Sequence, residues 1–168
     1  FTHDTTDARL VDGVVAGFDP NDPTSLFAPV PDMLEGLERG VSGIRIGLDE
    51  KFVTRDIHPE IAETVLTEIK VLEDLGAEIV EVQLPNLDPH VAAWPVLCSA
   101  EAVVAHSATY PSRRDDYGPW FQAFLDKGAE VTGVEYARAN KLRAACTGYL
   151  QRIFEQVDLL ACPSMSSP

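Results

Sequence analysis

The residues of this chain that could carry chemistry are few and scattered. Serines crowd into Cys162-Pro163-Ser164-Met165-Ser166-Ser167-Pro168. A serine attacks only when a base and oxyanion donors activate it. The chain has neither a Gly-x-Ser-x-Gly elbow nor a Ser-x-x-Lys pair, so these serines read as a polar loop after a strand. The histidines are His3, His58, His90 and His106, without His-x-His or His-Glu-x-x-His spacing; no metal site is expected. Asp19, Asn21 and Asp22 lack the further oxygen ligands and terminal Glu of a calcium loop. With Pro20 and Pro23 they read as a stiffened turn. No catalytic residue, metal ligand or cofactor is assigned.

Two features outside those motifs could shape a pocket. Glu101 lies within the most apolar stretch of the chain, where a buried carboxylate must find a partner or raise its pKa. Arg113, Arg114, Arg138 and Arg143 are possible partners, which favours a structural ion pair over a pocket residue. Trp94, Tyr110, Tyr117, Trp120 and Phe121 gather around an irregular loop at 110–119. Such rings either wall a substrate pocket or form ordinary core.

The elements that must position these residues follow from periodicity. Residues 7–16 place Leu10, Val11, Val14 and Val15 on one helical face. Residues 33–40 suggest a short helix, and 43–48 a β-run in which Gly43 and Gly47 imply close backbone approaches. Pro59 and Glu60 open a helix over 59–75, with Ile61, Val65, Leu66, Ile69, Leu72 and Leu75 as its stripe. Residues 77–85 alternate as a strand. Strand, helix and strand predict a right-handed parallel crossover joining 43–48 to 78–83. Residues 90–108 are apolar nearly all round and suggest a buried helix, kinked or begun at Pro95. A short helix follows at 120–128. Thr132 and Glu135 form a capping box opening a helix over 133–157, with Ala137, Ala144, Ala145, Leu150, Ile153 and Phe154 as its buried side. An apolar strand over 157–164 completes the pattern.

A net charge of −14 on 168 residues repels nucleic-acid phosphate and anionic lipid, so neither is expected as a partner. No apolar run is long enough to span a bilayer. Cys98, Cys146 and Cys162 form no Cys-x-x-Cys pair; they read as mostly buried thiols of a reducing, cytoplasmic compartment. The chain begins with Phe1, no signal peptide is visible, and the sequence reads as a piece of a longer product.

Taken in order, these segments resemble the amidase signature family. Asp7-Ala8, Val15-Ala16-Gly17 and the turn Asp19-Pro20-Asn21-Asp22-Pro23-Thr24-Ser25 are similar to the family's exit from its signature region. Residues 43–47, 72–85, Glu101-Ala102, Tyr117-Gly118, 136–143 and Asp158–Ser164 follow in the family's order. His3 departs from an Arg common in the family. The resemblance implies an α/β fold, with residues 1–168 a single partial domain, the middle to C-terminal part of an α/β/α layered domain with a mixed, mostly parallel sheet. It also implies an amide hydrolase working through a Ser–cis-Ser–Lys triad. The Gly/Ser-rich stretch and the lysine motif of that triad have no counterpart here, so no catalytic residue carries over and the chain alone is expected to be inactive. A stand-alone, non-catalytic binding module of the same fold is the alternative.

Within that resemblance the connections around 86–94 and 108–119 are long and irregular enough to reach over a site. They imply a substrate wall of Trp94, Cys98, Tyr110, Tyr117, Trp120 and Phe121. Where the family's glutamine-using members carry consecutive arginines, this chain has Pro119–Gly128. A neutral amide, anilide, carbamate or ester is therefore expected rather than glutamine, because a carboxylate needs a fork-shaped cation. The remaining partners implied are the rest of an amidase chain or a companion chain, with a homo-oligomer possible.

Overall fold

The structure, a computed structural model, describes residues 2–22 and 24–167. It divides into two compact units, Phe1–Ser42 and Gly43–Pro168.

In the first unit, α1 (Thr5–Val15) starts where the Asp4 carboxylate accepts the Asp7 amide. Its apolar stripe, Leu10, Val11, Val14 and Val15, is exposed. After Gly17 the chain makes a fixed turn. Asp19 accepts from the Asn21 amide at 2.8 Å and Asp22 from the Thr24 amide at 2.8 Å. Ser25 closes it by donating to the Asp22 carbonyl. Both carboxylates are used on local backbone, as expected of a turn; Pro23, expected to stiffen it, lies outside the described residues. Arg9 then holds the Met33 carbonyl at 2.6 Å. The short helix expected over 33–40 is instead a set of turns with one 3-10 turn at Leu37–Arg39. Gly36 and Gly40 flank it, and so short a segment cannot offset the cost of helix nucleation.

The second unit is an α/β arrangement on a parallel three-stranded sheet, in the order β2-β1-β3. Strand β1 (Arg45–Leu48) pairs in parallel with β2 (Glu78–Glu81), Ile46 opposite Ile79. It also pairs in parallel with β3 (Leu159–Leu160), Ile46 opposite Leu159. The crossover from β1 to β2 is α3 (Pro59–Asp74), closed by Gly76 at φ +100°. The ladder of β2 is shorter than the alternating run. Past it, Val82 still donates to the Leu48 carbonyl and Leu84 to the Asp49 carboxylate. The expected strand over 157–164 is likewise reduced to two residues, since Pro163 removes a donor. Gly47 does sit at a close approach: a Cβ there would meet Val157 and Leu160 at 3.2–3.3 Å. Gly43 has open space and is needed for its φ of +78°.

Helix α2 (Glu50–Thr54) has no periodic signature, because it is too short to show one. Asp49 creates it by accepting from the Phe52 amide with one carboxylate oxygen while the other accepts from Leu84. Helix α4 (Asp88–Ala105) begins ahead of Pro95, which lies in its interior. Helix α5 is Pro119–Ala129 and α6 is Gly133–Phe154, opened by the reciprocal Thr132–Glu135 capping box. The buried side of α6 is not the alanine side. Ala137, Ala144 and Ala145 are exposed, as is Phe154, while Tyr136, Ala139, Leu142, Leu150 and Ile153 face inward. Alanine suits either face of a helix, so the larger side chains at three- and four-residue spacing decide. Ile153 packs with Val157 and Val82, with Val80, Leu84, Leu150 and Leu160 around them. A second cluster joins Ala93 and Leu97 of α4 to Ala139 of α6. Among the described residues no helix is long and apolar enough to cross a membrane.

Candidate functional site

Helices α4 and α5 and the connection between them carry the candidate residues, and small side chains set how the helices meet. Gly128 of α5 lies so close to α4 that a Cβ there would overlap the Ser99 carbonyl. Ser99 itself is buried. On its other side α4 meets α6, where His90 Nδ1 lies 3.0 Å from the Leu142 carbonyl. The rest of α4 is not buried. Val91, Trp94 and Val104 are exposed, Trp94 by 64%. A helix that is apolar all round buries only as many faces as it has neighbours, and α4 has two.

Glu101 lies at the solvent-facing edge of the α4–α6 contact. It is half exposed and pairs with Arg143 at 3.2 Å, while the Tyr136 hydroxyl donates to the same oxygen at 2.9 Å. The ion-pair reading holds, but burial does not. The Tyr136 hydroxyl is correspondingly harder to ionise, first through this hydrogen bond. The expected buried thiols also differ: Cys98 and Cys146 are half-buried and Cys162 is exposed.

Between α4 and α5 the structure assembles four of the six candidate residues. Tyr110 is at the base, 9% exposed. Its hydroxyl donates to Asp126, which also takes a two-pronged ion pair from Arg114 at 2.7 and 2.6 Å. The guanidinium, and secondarily the Tyr110 hydroxyl, hold the Asp126 carboxyl down to about 2. Burial, then the hydrogen bond to Asp126, pushes the Tyr110 phenol up. Tyr117 stands edge-on to Tyr110 and to His106, with its hydroxyl 3.1 Å from His106 Nδ1 and also bonded to Thr109. From Tyr117 a run of stacked rings continues through Phe121 to Phe124 and Trp120. Gln122 secures it from behind, donating to the Tyr117 carbonyl at 2.7 Å and the Arg114 carbonyl at 3.1 Å.

The two remaining candidates are elsewhere on α4. Trp94 and Cys98 are one turn apart, and among the described residues no aromatic contact joins Trp94 to the ring stack. Ser164, Ser166 and Ser167 are exposed past β3, and the Ser166 carbonyl accepts the His58 amide at 2.8 Å. Near the carboxyl end of β1, a cavity of about 160 Å³ is lined by Asp49, Lys51, Phe52, Arg55 and Leu84. Asp49 is already engaged there by two amides, and Arg55 by Asp88 at 3.0 Å. A larger groove of about 580 Å³ follows α4 and the α5–α6 turn, past Val103, Val104, Val131 and Tyr136. Sequence reading missed Phe124, Gln122 and Asp126. The signal that could have found the first was helical spacing, since Phe124 is four residues from Trp120.

Comparison with known proteins matches the chain as a whole to one group. The family model described as Amidase matches residues 1–168. An amidase of Pseudomonas putida is 31% identical over 167 residues, covering 99% of this chain and 36% of that protein. A glutamyl-tRNA(Gln) amidotransferase subunit of Geobacter sp. (strain M21) is 31% identical over 192 residues, covering 99% of this chain and 39% of that protein. Among solved structures, a glutamyl-tRNA(Gln) amidotransferase subunit from Thermotoga maritima superposes with a TM-score of 0.72 and 27% identity, over 96% of this chain and 35% of that one. A bacterial aryl acylamidase of the amidase signature family gives a TM-score of 0.73 at 24% identity, over 96% of this chain and 36% of that one, a likeness of fold alone. The chain thus spans little more than a third of the relatives it resembles.

Proposed function

From the premise that this chain belongs to the amidase family, matched over residues 1–168, we propose that it is a segment of an amidase-signature serine hydrolase. The complete enzyme cleaves a neutral amide, with anilides, carbamates and esters in the same class. An activated serine attacks the acyl carbon, the amine or alcohol leaves, and water releases the acyl-enzyme. That serine and its base belong to parts of the enzyme outside this segment. The segment supplies sheet strands and one wall of the substrate pocket, and is inactive alone. Residues 1–168 form a single part of that enzyme's catalytic domain, its middle to C-terminal portion.

The observation that carries the reading is the family match over the whole chain together with a sheet whose outer strands, β2 and β3, are both edges. Exposed Val91 and Val104 support the same reading, since such surface calls for a covering partner. The rest of the amidase is that partner. The wall comprises Trp94, Cys98, Tyr117, Trp120 and Phe121, with Tyr110 behind it. A neutral substrate is favoured over glutamine because Arg113 and Arg114 are paired with Asp116 and Asp126, and residues 119–128 add only Lys127, a single ammonium and not a fork-shaped cation. Three unpaired thiols support a cytoplasmic setting.

A fluorophosphonate probe tests the division of labour. It should label the complete enzyme and leave the 168-residue chain unmodified. Labelling of Ser164, Ser166 or Ser167 in the isolated chain would overturn it.

A further inference from the structure

The connection between α4 and α5 is exposed from Pro111 to Asp116. A loop with so little burial is ordinarily mobile. Its backbone bonds are local turns: the Arg114 amide donates to the Pro111 carbonyl, Asp116 to Arg113 and Tyr117 to Arg114, each at 3.1 Å. Those bonds shape the loop without fixing it to a helix. Among the described residues, three side chains tie the stretch 111–117 to the helices beside it. Arg114 reaches Asp126 on α5. The Tyr117 hydroxyl reaches His106 Nδ1 and Thr109 at the end of α4. Gln122 takes the backbone between those two points.

Gln122 suits its place by donor count. It stands on α5 one turn before Asp126, on the same face. Its side-chain nitrogen carries two hydrogens, and it donates to two carbonyls, Arg114 at 3.1 Å and Tyr117 at 2.7 Å. Arg114 begins the 3-10 turn Arg114–Asp116, and Tyr117 ends it. One side chain thus bridges the whole turn. A glutamate of the same size would set acceptors against acceptors and push the turn away. Asp126 holds the Arg114 guanidinium while Gln122 holds the Arg114 carbonyl, so α5 grips one loop residue twice. Tyr117 is likewise held at both ends, its carbonyl by Gln122 and its hydroxyl by His106 and Thr109. So held, its ring stands edge-on to Tyr110 and stacks on Phe121 at 6.0 Å.

We propose that Gln122 is a positioning residue: by bridging the Arg114 and Tyr117 carbonyls it makes the 111–117 loop a rigid part of the substrate wall and not a lid. This rests on the amide-hydrolase reading above and on the place of Tyr117 in that wall. Gln122 acts through the loop and not by contact with substrate. A displaced wall weakens binding of amides long enough to reach it. Binding lost equally from the ground and transition states raises KM and leaves kcat unchanged.

The test compares the complete enzyme with its Gln122→Glu and Gln122→Met variants. Hexanamide and 4-nitroacetanilide carry bulk on opposite sides of the amide bond, and acetamide carries almost none. For each amide kcat and KM are measured, together with melting temperature and deuterium uptake of the peptide covering 111–117. In both variants KM for at least one bulky amide should rise about 5–10-fold relative to acetamide, with its kcat held within about twofold. The loop peptide should exchange about tenfold faster. Melting temperature should stay close to that of wild type, because the freed carbonyls lie where water can reach them. Faster exchange with an unchanged ratio of bulky amide to acetamide overturns the positioning role, since the loop then moves without consequence for substrate. Unchanged exchange overturns the bridge itself. An equal loss toward all three amides that tracks a lower melting temperature also overturns the proposal, because Gln122 would then serve the fold alone. Hydrolysis of none of the three by the wild type overturns the amide-hydrolase reading and the positioning role with it.

Discussion

Around β1 the apolar side chains point inward and disappear: Ile46, Val82, Ile153 and Val157 are all buried. Along α5 they rise from Leu125, fully buried, to Trp120, which faces solvent. Each region has its own arginine–carboxylate clamp. Arg45 grips Asp158 through its guanidinium at 2.7 and 3.2 Å and through its backbone amide at 2.9 Å, tying β1 to the start of β3. Arg114 grips Asp126 and, with Tyr110, ties α5 to the loop before it. The same chemistry closes a sheet in one place and steadies an outward-facing stack in the other. The difference teaches that the ion pair does not define a region's role. What is left exposed beside it does.

The sharpest way to break that comparison is to add one methyl group on each side. In Gly128→Ala the new Cβ overlaps the Ser99 carbonyl, backbone that cannot rotate away, so α4 and α5 must separate. A loss of about 3 kcal/mol is expected, read as a lower urea midpoint. Gly47→Ala meets only side chains of Val157 and Leu160 at 3.2–3.3 Å, which can shift by a few tenths of an ångström. About 1 kcal/mol is expected there. Equal losses would mean that the helix contact is no tighter than the strand contact.

Acid separates the clamps next. Both Asp126 and Asp158 are held down to about 2 from an ordinary 3.8, first by hydrogen bonds from their arginines. A depressed carboxyl stabilises the fold above its unfolded value, and that contribution fades as pH falls through 3.8 toward 2. Asp126→Asn and Asp158→Asn should each melt lower than wild type at about pH 7, with the gap closing over that window. Only Asp158→Asn should weaken β3 pairing, seen as faster amide exchange at Ala161, whose amide donates to Gly47. A gap that persists at about pH 2 would show that the carboxylate charge is not what matters.

The smallest effect sharpens the packing argument by its sign. Gly148 lies inside α6 with open space where a Cβ would stand. Gly148→Ala should therefore stabilise by about 0.5–1 kcal/mol, because glycine alone forfeits helix propensity there. A destabilised variant would show a neighbour packed against that position.

Local rules were enough for much of this protein. Pro59, the stripe from Ile61 to Leu72 and Gly76 specified α3 and so the parallel neighbours β1 and β2, because a crossover of that length has one favoured hand. Thr132 and Glu135 specified the start of α6, and Asp19, Asn21 and Asp22 their turn, because those hydrogen bonds close within a few residues. Tertiary structure decided what depended on distant neighbours. It set β1 as the central strand through a pairing with Leu159, far along the chain. It made α2 from an aspartate that also holds Leu84. It turned an evenly apolar α4 into a helix with two covered sides and an open one. It also placed Tyr110 inside and Trp120 outside, though the two residues look alike in the sequence. A side chain's period along the chain is local, but whether its face is covered depends on which other elements arrive there.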